Sequence, residues 1–420
     1  MNLMNIFKRW INNNASALTH KNFRYFWCGQ AVSLIGTWMQ RTAQLWLVYS
    51  MTNSPFLIGL LGVFQFAPML LFSLFAGVLV DRYPKKKILL VTQTILMIQA
   101  FIITILVWTG TIKYWHILIL ALIMGIANTF DMPARQSYII SLVGKKHLMN
   151  AIALNSVVFN LARIVGPAVS GIMMKYTGMT FCFLINALSF IAVIWGIHKI
   201  DIEGNPTNIV KQKNILKDIK SGLSYSEKNA SVLLTMLFMA IICTFAMNND
   251  VIIPVVAKTV LHKSETGYSV LLSCMGAGSL IGAFTIAKSS KVGPKIKNLI
   301  TSSLCISVFL LLAGITTNYY IDMFVIGEIG FFNLRFLNTA NSLMQLNTSD
   351  EYRGRVMSLY SLLNAGTTPI GNLFAGTVTE HFGALTGYFS CGAVTGILII
   401  ILLIFGRSMI KQTRNAVLKI

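Results

Sequence analysis

The stretch Gly77-Val-Leu-Val-Asp-Arg-Tyr-Pro-Lys-Lys-Lys87 stands where one long apolar run, residues 56–80, ends and the next, residues 88–109, begins. Each run is long enough to cross a bilayer as a helix, which takes about 20 apolar residues. The stretch itself holds four basic residues and one aspartate. Short basic loops between apolar spans are typical of the cytoplasmic side of membrane proteins. The pattern therefore predicts an all-α membrane protein.

The same alternation of apolar run and short polar loop extends over the whole chain of 420 residues. Of these residues, 55% are hydrophobic and 11% are charged, whereas about a quarter of the residues in a soluble domain are charged. So few charges cannot cover a water-facing surface, and lipid is the expected solvent. We predict twelve transmembrane helices, near residues 24–50, 56–80, 88–109, 115–133, 151–174, 180–198, 230–256, 268–287, 298–316, 322–347, 356–378 and 384–405.

The distribution of lysine and arginine predicts the orientation. If both termini are cytoplasmic, the inside segments hold 27 of the 34 Lys and Arg residues and the outside loops hold four. The remaining three, Arg41, Arg163 and Arg335, fall within predicted spans. Because basic loops stay in the cytoplasm, we expect both termini there. The first 22 residues lack the pattern of a cleavable signal peptide, so the first span would serve as the insertion signal.

One long polar segment, residues 199–229, divides the predicted spans six and six. We expect an N-terminal six-helix bundle over residues 1–198, a cytoplasmic linker over 199–229, and a C-terminal six-helix bundle with a short tail over 230–420. Within the linker, apolar and basic residues alternate at helical spacing over 215–220. That alternation is typical of an amphipathic helix lying on an anionic membrane surface.

The two halves also repeat a pattern of small residues. The segment Gly166-Pro-Ala-Val-Ser-Gly171 is similar to Gly371-Asn-Leu-Phe-Ala-Gly376, at an offset of 205 residues. At the same offset Gly125 matches Gly330. Together with the central linker, this favours two pseudo-symmetric bundles, as in transporters built from repeats.

Composition and motifs exclude several classes of protein. The net charge of +21 comes from short basic clusters between apolar runs, which does not indicate nucleic-acid binding. The six cysteines lie in apolar stretches without CxxC spacing, so neither a metal site nor a disulfide framework is expected. A membrane-embedded enzyme, the alternative of a different class, would need a catalytic constellation, and a nucleotide-driven pump would need a P-loop; neither pattern occurs. We expect no enzyme activity, no metal and no cofactor.

Two stretches resemble motifs of the major facilitator superfamily. Residues 77–87 resemble its loop motif G-x-L-x-D-R-x-G-R-K, with Pro84 where the family usually has glycine. Residues 162–171 resemble the G-x-x-x-G-P-x-x-G-G motif of its proton antiporters, with Ala162 and Ser170 replacing glycines. The fourth-span motif R-x-x-x-G has no clear counterpart here. Further stretches resemble the branch that holds the enterobactin exporter and macrolide-efflux-type permeases: 46–49, 52–55, 131–136, 150–156 and 353–356.

The resemblance implies a monomeric two-bundle transporter in the bacterial cytoplasmic (inner) membrane, with two functional motifs. In the first, Asp81 would meet the start of the eleventh span and act as a conformational latch. The latch residues are Gly77, Asp81, Arg82, Arg353 and Arg355. The second is the kinked antiporter-like motif, with residues Arg163, Gly166, Pro167 and Gly171.

Charged residues inside predicted spans are functional candidates, because a charge at mid-bilayer costs at least about 2.5–3.5 kcal/mol. By the resemblance, the first, fourth, seventh and tenth spans line a central cavity. Structural ion pairs between the halves are the other interpretation of these charges. We hypothesise that Asp250 or Glu328 carries a proton. The candidate proton and substrate cavity comprises Arg41, Gln44, Asn155, Asn248, Asp250, Glu328, Arg335 and Asn338.

These patterns together predict a secondary active transporter that works by alternating access in a lipid bilayer. The expected cargo is a small amphipathic compound, such as a drug, a siderophore or a metabolite. The expected direction is export by proton antiport. Import of a metabolite or cell-wall fragment, or lipid transport, is the alternative within the same class.

Overall fold

The computed structural model describes residues 15–205, 215–289 and 295–407. Those residues form helices and short connections, with no β-strand among them. After a short 3-10 turn, Ser16–Thr19, the helices are α1 (Lys21–Thr52), α2 (Pro55–Arg82), α3 (Lys85–Trp108), α4 (Tyr114–Tyr176), α5 (Met179–His198), α6 (Ile215–Lys228), α7 (Ala230–Ile241), α8 (Asn249–Thr259), α9 (Glu265–Ser289), α10 (Ile296–Ala313), α11 (Tyr319–Leu346), α12 (Asp350–Gly366), α13 (Thr368–Phe382) and α14 (Ala384–Phe405).

Eight helical segments in the described part of the chain are long and apolar enough to cross a membrane. They contain nine of the twelve predicted spans, because α4 holds two of them and α7 with α8 counts as one segment. The predicted first and tenth spans fall in α1 and α11, which are long helices that carry more polar residues. The predicted eleventh span is divided between α12 and α13. The all-α membrane fold is confirmed, and the count of twelve spans stays a prediction.

Helix α4 joins the predicted fourth and fifth spans without an ordinary loop. Its backbone leaves helical geometry at Gly144, where φ is 68° and ψ is 172°. A positive φ of this size is readily adopted by glycine, because a Cβ would clash with the backbone there. The loop expected between the two spans is therefore mostly helical, with a single sharp turn at this glycine.

Two of the predicted spans are interrupted. The seventh consists of α7, a π-helical turn (Ile242–Ala246) and α8, with non-helical backbone at Met247 and Asn248. The eleventh is interrupted at Thr367, between α12 and α13. Discontinuous helices of this kind form binding sites in many transporters. The sequence predicted one uninterrupted run in each case.

The interruption in the seventh span has a local cause. The Nδ2 group of Asn248 donates a hydrogen bond to the carbonyl oxygen of Thr244, at 2.8 Å. That oxygen is the acceptor which the backbone N–H of residue 248 would use in an α-helix. Asparagine side chains compete with the backbone in this way and are therefore poor helix formers.

The described residues form two compact units. The first comprises Met1–Gln44 and Leu71–Lys211, and the second comprises Leu45–Leu70 and Gln212–Ile420. Helices α1 and α2 therefore each contribute to both units. The predicted bundles, 1–198 and 230–420, describe a sequence repeat and stay a prediction.

Each unit has its own packing. In the first, α3, α4 and α5 pack around a core that includes Leu89, Ala134 and Val193. In the second, α9 and α11 approach closely because glycine carries no side chain. A Cβ on Gly278 would collide with the backbone of Gly327 on the facing helix. Small residues that let helix backbones approach are typical of packing in membranes.

The linker helix α6 packs on α12 within the second unit. The ring of Tyr225 stacks on that of Tyr352, with centroids 4.5 Å apart, and its hydroxyl accepts a hydrogen bond from the Ser349 N–H at 3.1 Å. The predicted contact of 215–220 with a membrane surface concerns side chains outside the described residues. The part of α6 that follows residue 220 packs against α12.

Candidate functional site

The centre of the second unit is the interrupted seventh span, packed against α13. Gly371 of α13 lies so close that a Cβ there would collide with the carbonyl oxygen of Thr244 and stand 2.5 Å from Oδ1 of Asn248. A glycine is therefore needed at this crossing. The π-helical turn, the non-helical residues and α13 form one packed layer.

Polar side chains at this break are almost fully buried. Asn248 and Asn249 are 2% and 4% exposed. The hydroxyl of Tyr388, from α14, donates a hydrogen bond to Oδ1 of Asn249 at 3.3 Å. Tyr388 is itself 1% exposed. Buried polar groups need partners, so this pair fixes α14 against the first turn of α8.

A buried carboxyl group lies close to Tyr388. Asp322, in the first turn of α11, is 1% exposed and accepts a hydrogen bond from the Thr316 hydroxyl. Both Asp322 and Asp250 are near enough to act electrostatically on Tyr388. The sequence analysis did not select Asp322. An aspartate four residues after a polar helix-capping residue, Asn318, looks like an ordinary first-turn aspartate, and burial cannot be seen in that pattern.

The ends of α1 and α2 that belong to the second unit carry an aromatic and a charged contact. Trp46 of α1 stacks on Tyr268 of α9, with centroids 5.3 Å apart. Lys258 of α8 donates to Oδ1 of Asn53 at 2.8 Å and lies 5.1 Å above the ring of Tyr49. The turn between α1 and α2, residues 52–56, is therefore bound to α8.

The same turn is bound to α13 from the other side. Oε2 of Glu380 accepts hydrogen bonds from the Ser54 hydroxyl at 2.7 Å and from the Phe56 N–H at 3.1 Å. Further along α2, Gly59 and Gly62 pack directly on Asn372. A cation from one helix and an anion from another thus hold this turn in the second unit.

In the first unit, the antiporter-like motif packs around Trp38. A Cβ on Gly166 would collide with Cβ of Trp38. The guanidinium groups of Arg41 and Arg163 lie 5.2 Å and 5.8 Å from the indole centroid. Phe159 meets the same ring edge-on at 5.8 Å. The structure therefore brings Arg41, predicted for the cavity, together with Arg163 and Gly166 of the motif.

Two polar networks lie deeper in the first unit. The Gln40 side chain bridges two helices, accepting from Asn186 at 2.8 Å and donating to Gln99 at 3.2 Å. Nearer the linker, the carboxylate of Asp131 pairs with Arg135 at 2.8 Å. Its second oxygen accepts hydrogen bonds from Thr92 and Gln93. These networks connect helices of the first unit through hydrogen bonds between buried side chains.

The other predicted cavity residues divide between the units. Arg41, Gln44 and Asn155 belong to the first unit, and Asn248, Asp250, Glu328, Arg335 and Asn338 belong to the second. Within the second unit, Arg335 turns towards α10, where Nη2 donates to Oδ1 of Asn298 at 3.3 Å. Glu328 of α11 lies near Cys305 of α10. A shared cavity for all eight stays a prediction.

The latch residues also divide. Gly77, Asp81 and Arg82 belong to the first unit, and Arg353 and Arg355 to the second. Among the described residues of the first unit, nothing lies within 4 Å of a Cβ built on Gly77. The expected pairing of Asp81 with the start of α12 stays a prediction.

Known proteins share this sequence pattern over most of its length. The transmembrane secretion effector family matches residues 13–418. The staphyloferrin A transporter of Staphylococcus aureus is 23% identical, covering 89% of this chain and 93% of that protein. Macrolide efflux protein A of Streptococcus pyogenes is 22% identical, covering 86% and 90%. The solved structure of the nucleoside transporter NupG has the same fold, with a TM-score of 0.73, 12% identity and coverage of 93% and 99%.

The apolar helices and the matches along nearly the whole chain define a multi-pass membrane transporter. The match to the family over residues 13–418 identifies a narrower group within that class. The chain belongs to the transmembrane secretion effector family of the major facilitator superfamily.

Proposed function

We propose that this protein exports a small amphipathic compound from the bacterial cytoplasm in exchange for protons, by alternating access. The observation that carries the proposal is the similarity along nearly the whole chain to a siderophore transporter and to macrolide efflux proteins. A further relative of similar coverage is the multidrug efflux pump Tap of Mycolicibacterium fortuitum. We extend their role to this chain as a drug, siderophore or metabolite exporter.

The geometry of the second unit is consistent with such a cycle. The turn 52–56 is held by contacts that can be exchanged: hydrogen bonds to Lys258 and Glu380, and the stacked pair Trp46–Tyr268. Contacts of this kind suit a transition between two discrete packed arrangements. At the break in the seventh span the polar side chains of Asn248 and Asn249 are buried, and discontinuous helices of this kind form binding sites in many transporters.

The test is an accumulation assay in a bacterium without its own efflux pumps. Cells that express the protein are given a panel of drugs, dyes and siderophores, with and without a protonophore. We expect lower intracellular levels of at least one compound, and we expect the protonophore to abolish the difference. Raised accumulation of any compound would indicate import and contradict the proposed direction. Export that persists with the protonophore would contradict proton coupling.

The assay is paired with two glycine variants, and their abundance in the membrane is measured so that export is compared per molecule of protein. Gly371→Ala places a methyl group against Thr244, whereas Gly354→Ala adds the same group where no described atom lies within 4 Å. The first variant is expected to lose export and the second to retain it. We further propose that the protein works as a monomer in the cytoplasmic (inner) membrane, which cell fractionation and size measurement in detergent can check.

A further inference from the structure

Three helices of the second unit contribute polar side chains to a cluster in the neighbourhood of Tyr388. The hydroxyl of Tyr388 donates to Asn249, and Asp322, Asp250 and Cys391 are close enough to act on it electrostatically. These residues come from α8, α11 and α14. The cluster lies beside the break in the seventh span, and Asp322 is its most buried carboxyl group.

Three buried polar atoms in or next to this cluster lack hydrogen-bond partners among the described residues. They are Oδ2 of Asp322, Oδ1 of Asn248 and Oγ1 of Thr379. The Cys391 thiol, a weak donor, is a neighbour of Asn248. Thr379 packs on Gly387, the residue before Tyr388. Buried acceptors are rarely left unmatched, and each such group indicates a bound water, ion or proton.

The charge of Asp322 narrows the choice among a bound water, an ion and a proton. No lysine or arginine of the described residues forms an ion pair with it, and one of its two oxygens is satisfied by Thr316 alone. A carboxylate anion buried without a counter-charge carries a large desolvation penalty. Adding one proton to Oδ2 removes the charge and with it most of that desolvation penalty. A proton is thus the ligand that the site fits.

The titratable groups around the site do not supply a permanent counter-charge. On α14 they are Tyr388 and Cys391, and on α8 the nearest is Asp250. One turn before Asp322 stands Tyr319, with Lys263 lying 5.0 Å above its ring and Cys274 of α9 nearby. The ammonium group of Lys263 is directed at that ring, and no ion pair joins it to Asp322 among the described residues.

We propose that Asp322 binds and releases the proton that drives transport, and that Tyr388 and Asn249 link it to the break in the seventh span. The inference rests on the proposed proton-coupled export and names the coupling residue. It replaces the two acids selected from the sequence. Asp250 and Glu328 are both more exposed than Asp322, and Glu328 lies on the face of α11 that meets α10.

The first test needs no cargo. Infrared spectra of the purified full-length protein in lipid nanodiscs, recorded over a range of pH in H2O and D2O, report the C=O stretch of a protonated carboxyl group. We expect a buried band of this kind that disappears at high pH. It should be absent in Asp322→Asn, shifted in Asp322→Glu, and unchanged in Asp201→Asn, which alters an exposed aspartate.

The outcomes are distinct. A band that persists unchanged in Asp322→Asn would overturn the assignment, as would its absence from the wild-type protein at every pH. A band that responds to sodium at constant pH would assign the site to a metal cation instead. The Glu variant and the wild-type titration are informative even if the Asn variant is poorly folded.

The second test links the site to transport. Proteoliposomes are loaded with ethidium, and a pH gradient is imposed across the membrane. We expect pH-driven movement of the dye with wild-type protein and none with Asp322→Asn, while both bind ethidium equally. Equal pH-driven movement by the two proteins would overturn the role of Asp322. A wild-type protein that shows the infrared band but no pH-driven movement would contradict proton-coupled export of ethidium and leave the proton site in place.

Discussion

At the scale of single residues, two glycines make matching contacts. Gly166 packs on Trp38 in α1, and Gly371, which is 205 positions later, packs on Thr244 in the π-helical turn. Ser170, near the first glycine, also donates to the carbonyl oxygen of Met39 at 3.3 Å, and Met39 and Thr244 are again 205 positions apart. The same close approach thus occurs once in each unit, which supports the predicted repeat.

We predict that Gly371→Ala destabilises the protein, because the methyl group would overlap the Thr244 carbonyl oxygen. Overpacking of this kind costs about 1–3 kcal/mol, and the shift needed to relieve it would move Asn248. Thermal unfolding of the purified protein and the accumulation assay measure the two effects. In contrast, Gly354→Ala should be neutral or stabilising by up to about 1 kcal/mol, because glycine is a poor helix former. Equal stability and transport of the two variants would contradict this account.

The sequence predicted the glycines but not the buried acid. Glycine spacing survives as a pattern because close helix contacts need a missing side chain. The importance of Asp322 depends instead on its burial in the folded protein and on a partner, Thr316, in the preceding loop. Neither condition leaves a local pattern. Glu328 and Arg335 stood out because they interrupt an apolar run, yet Arg335 is occupied by Asn298.

At the scale of helices, apolar runs located most spans but not their interruptions. Both sides of the break at Met247–Asn248 are apolar, so an average of hydrophobicity over a window of residues does not detect the break. The break at Thr367 likewise separates two segments that would fit one span. Local hydrogen bonding by Asn248 causes the first break. Hydrophobicity measures transfer to lipid and contains no information about that bond.

We predict that the linker helix α6 is anchored by Tyr225. Tyr225→Phe removes the hydrogen bond from the Ser349 N–H, at a cost of about 0.5–1.5 kcal/mol. Tyr225→Ala also removes the stacking on Tyr352, which adds about 0.5–1.5 kcal/mol. Limited proteolysis within the linker should therefore speed up in the order wild type, Phe, Ala. Equal cleavage rates in all three proteins would show that other contacts hold α6.

The acidity of Tyr225 provides a separate check. Burial raises the pKa of its hydroxyl, but hydrogen bonds involving Ser349 and Asn229 outweigh that effect, and the net pKa lies below the ordinary value. A depressed folded-state pKa favours docking above the unfolded-state pKa and loses that contribution as pH falls through the folded-state value. Absorbance titration should show one tyrosine ionising early in the wild type and not in Tyr225→Phe. If the wild-type protein and Tyr225→Phe gave the same titration curve, the lowered pKa of Tyr225 would be contradicted.

At the scale of the whole molecule, the proposed transport cycle implies that the turn 52–56 leaves α8 and α13 in one of its states. We predict that Glu380→Gln weakens its attachment, because the hydrogen bonds from Ser54 and Phe56 lose their charged acceptor. Spin labels at residues 51 and 377, both exposed, should then report a larger population of long distances than in the wild-type background. Glu265→Gln is the matched control, since it removes the same charge from the first turn of α9. Identical distance distributions for the two variants would contradict this role of Glu380.

The last prediction concerns the latch motif, whose two parts belong to different units. A carboxylate at the start of a helix contributes about 0.3–1 kcal/mol, which suits a contact that a transport cycle must open repeatedly. Asp81→Asn should therefore impair export while membrane abundance stays normal. If the partner is Arg353, the exchange Asp81→Arg with Arg353→Asp should restore part of the export that either single change removes, since an ion pair is re-formed with reversed polarity. Export by Asp81→Asn at the wild-type rate would exclude the latch, and two single variants that the exchange does not rescue would place the partner of Asp81 elsewhere on α12.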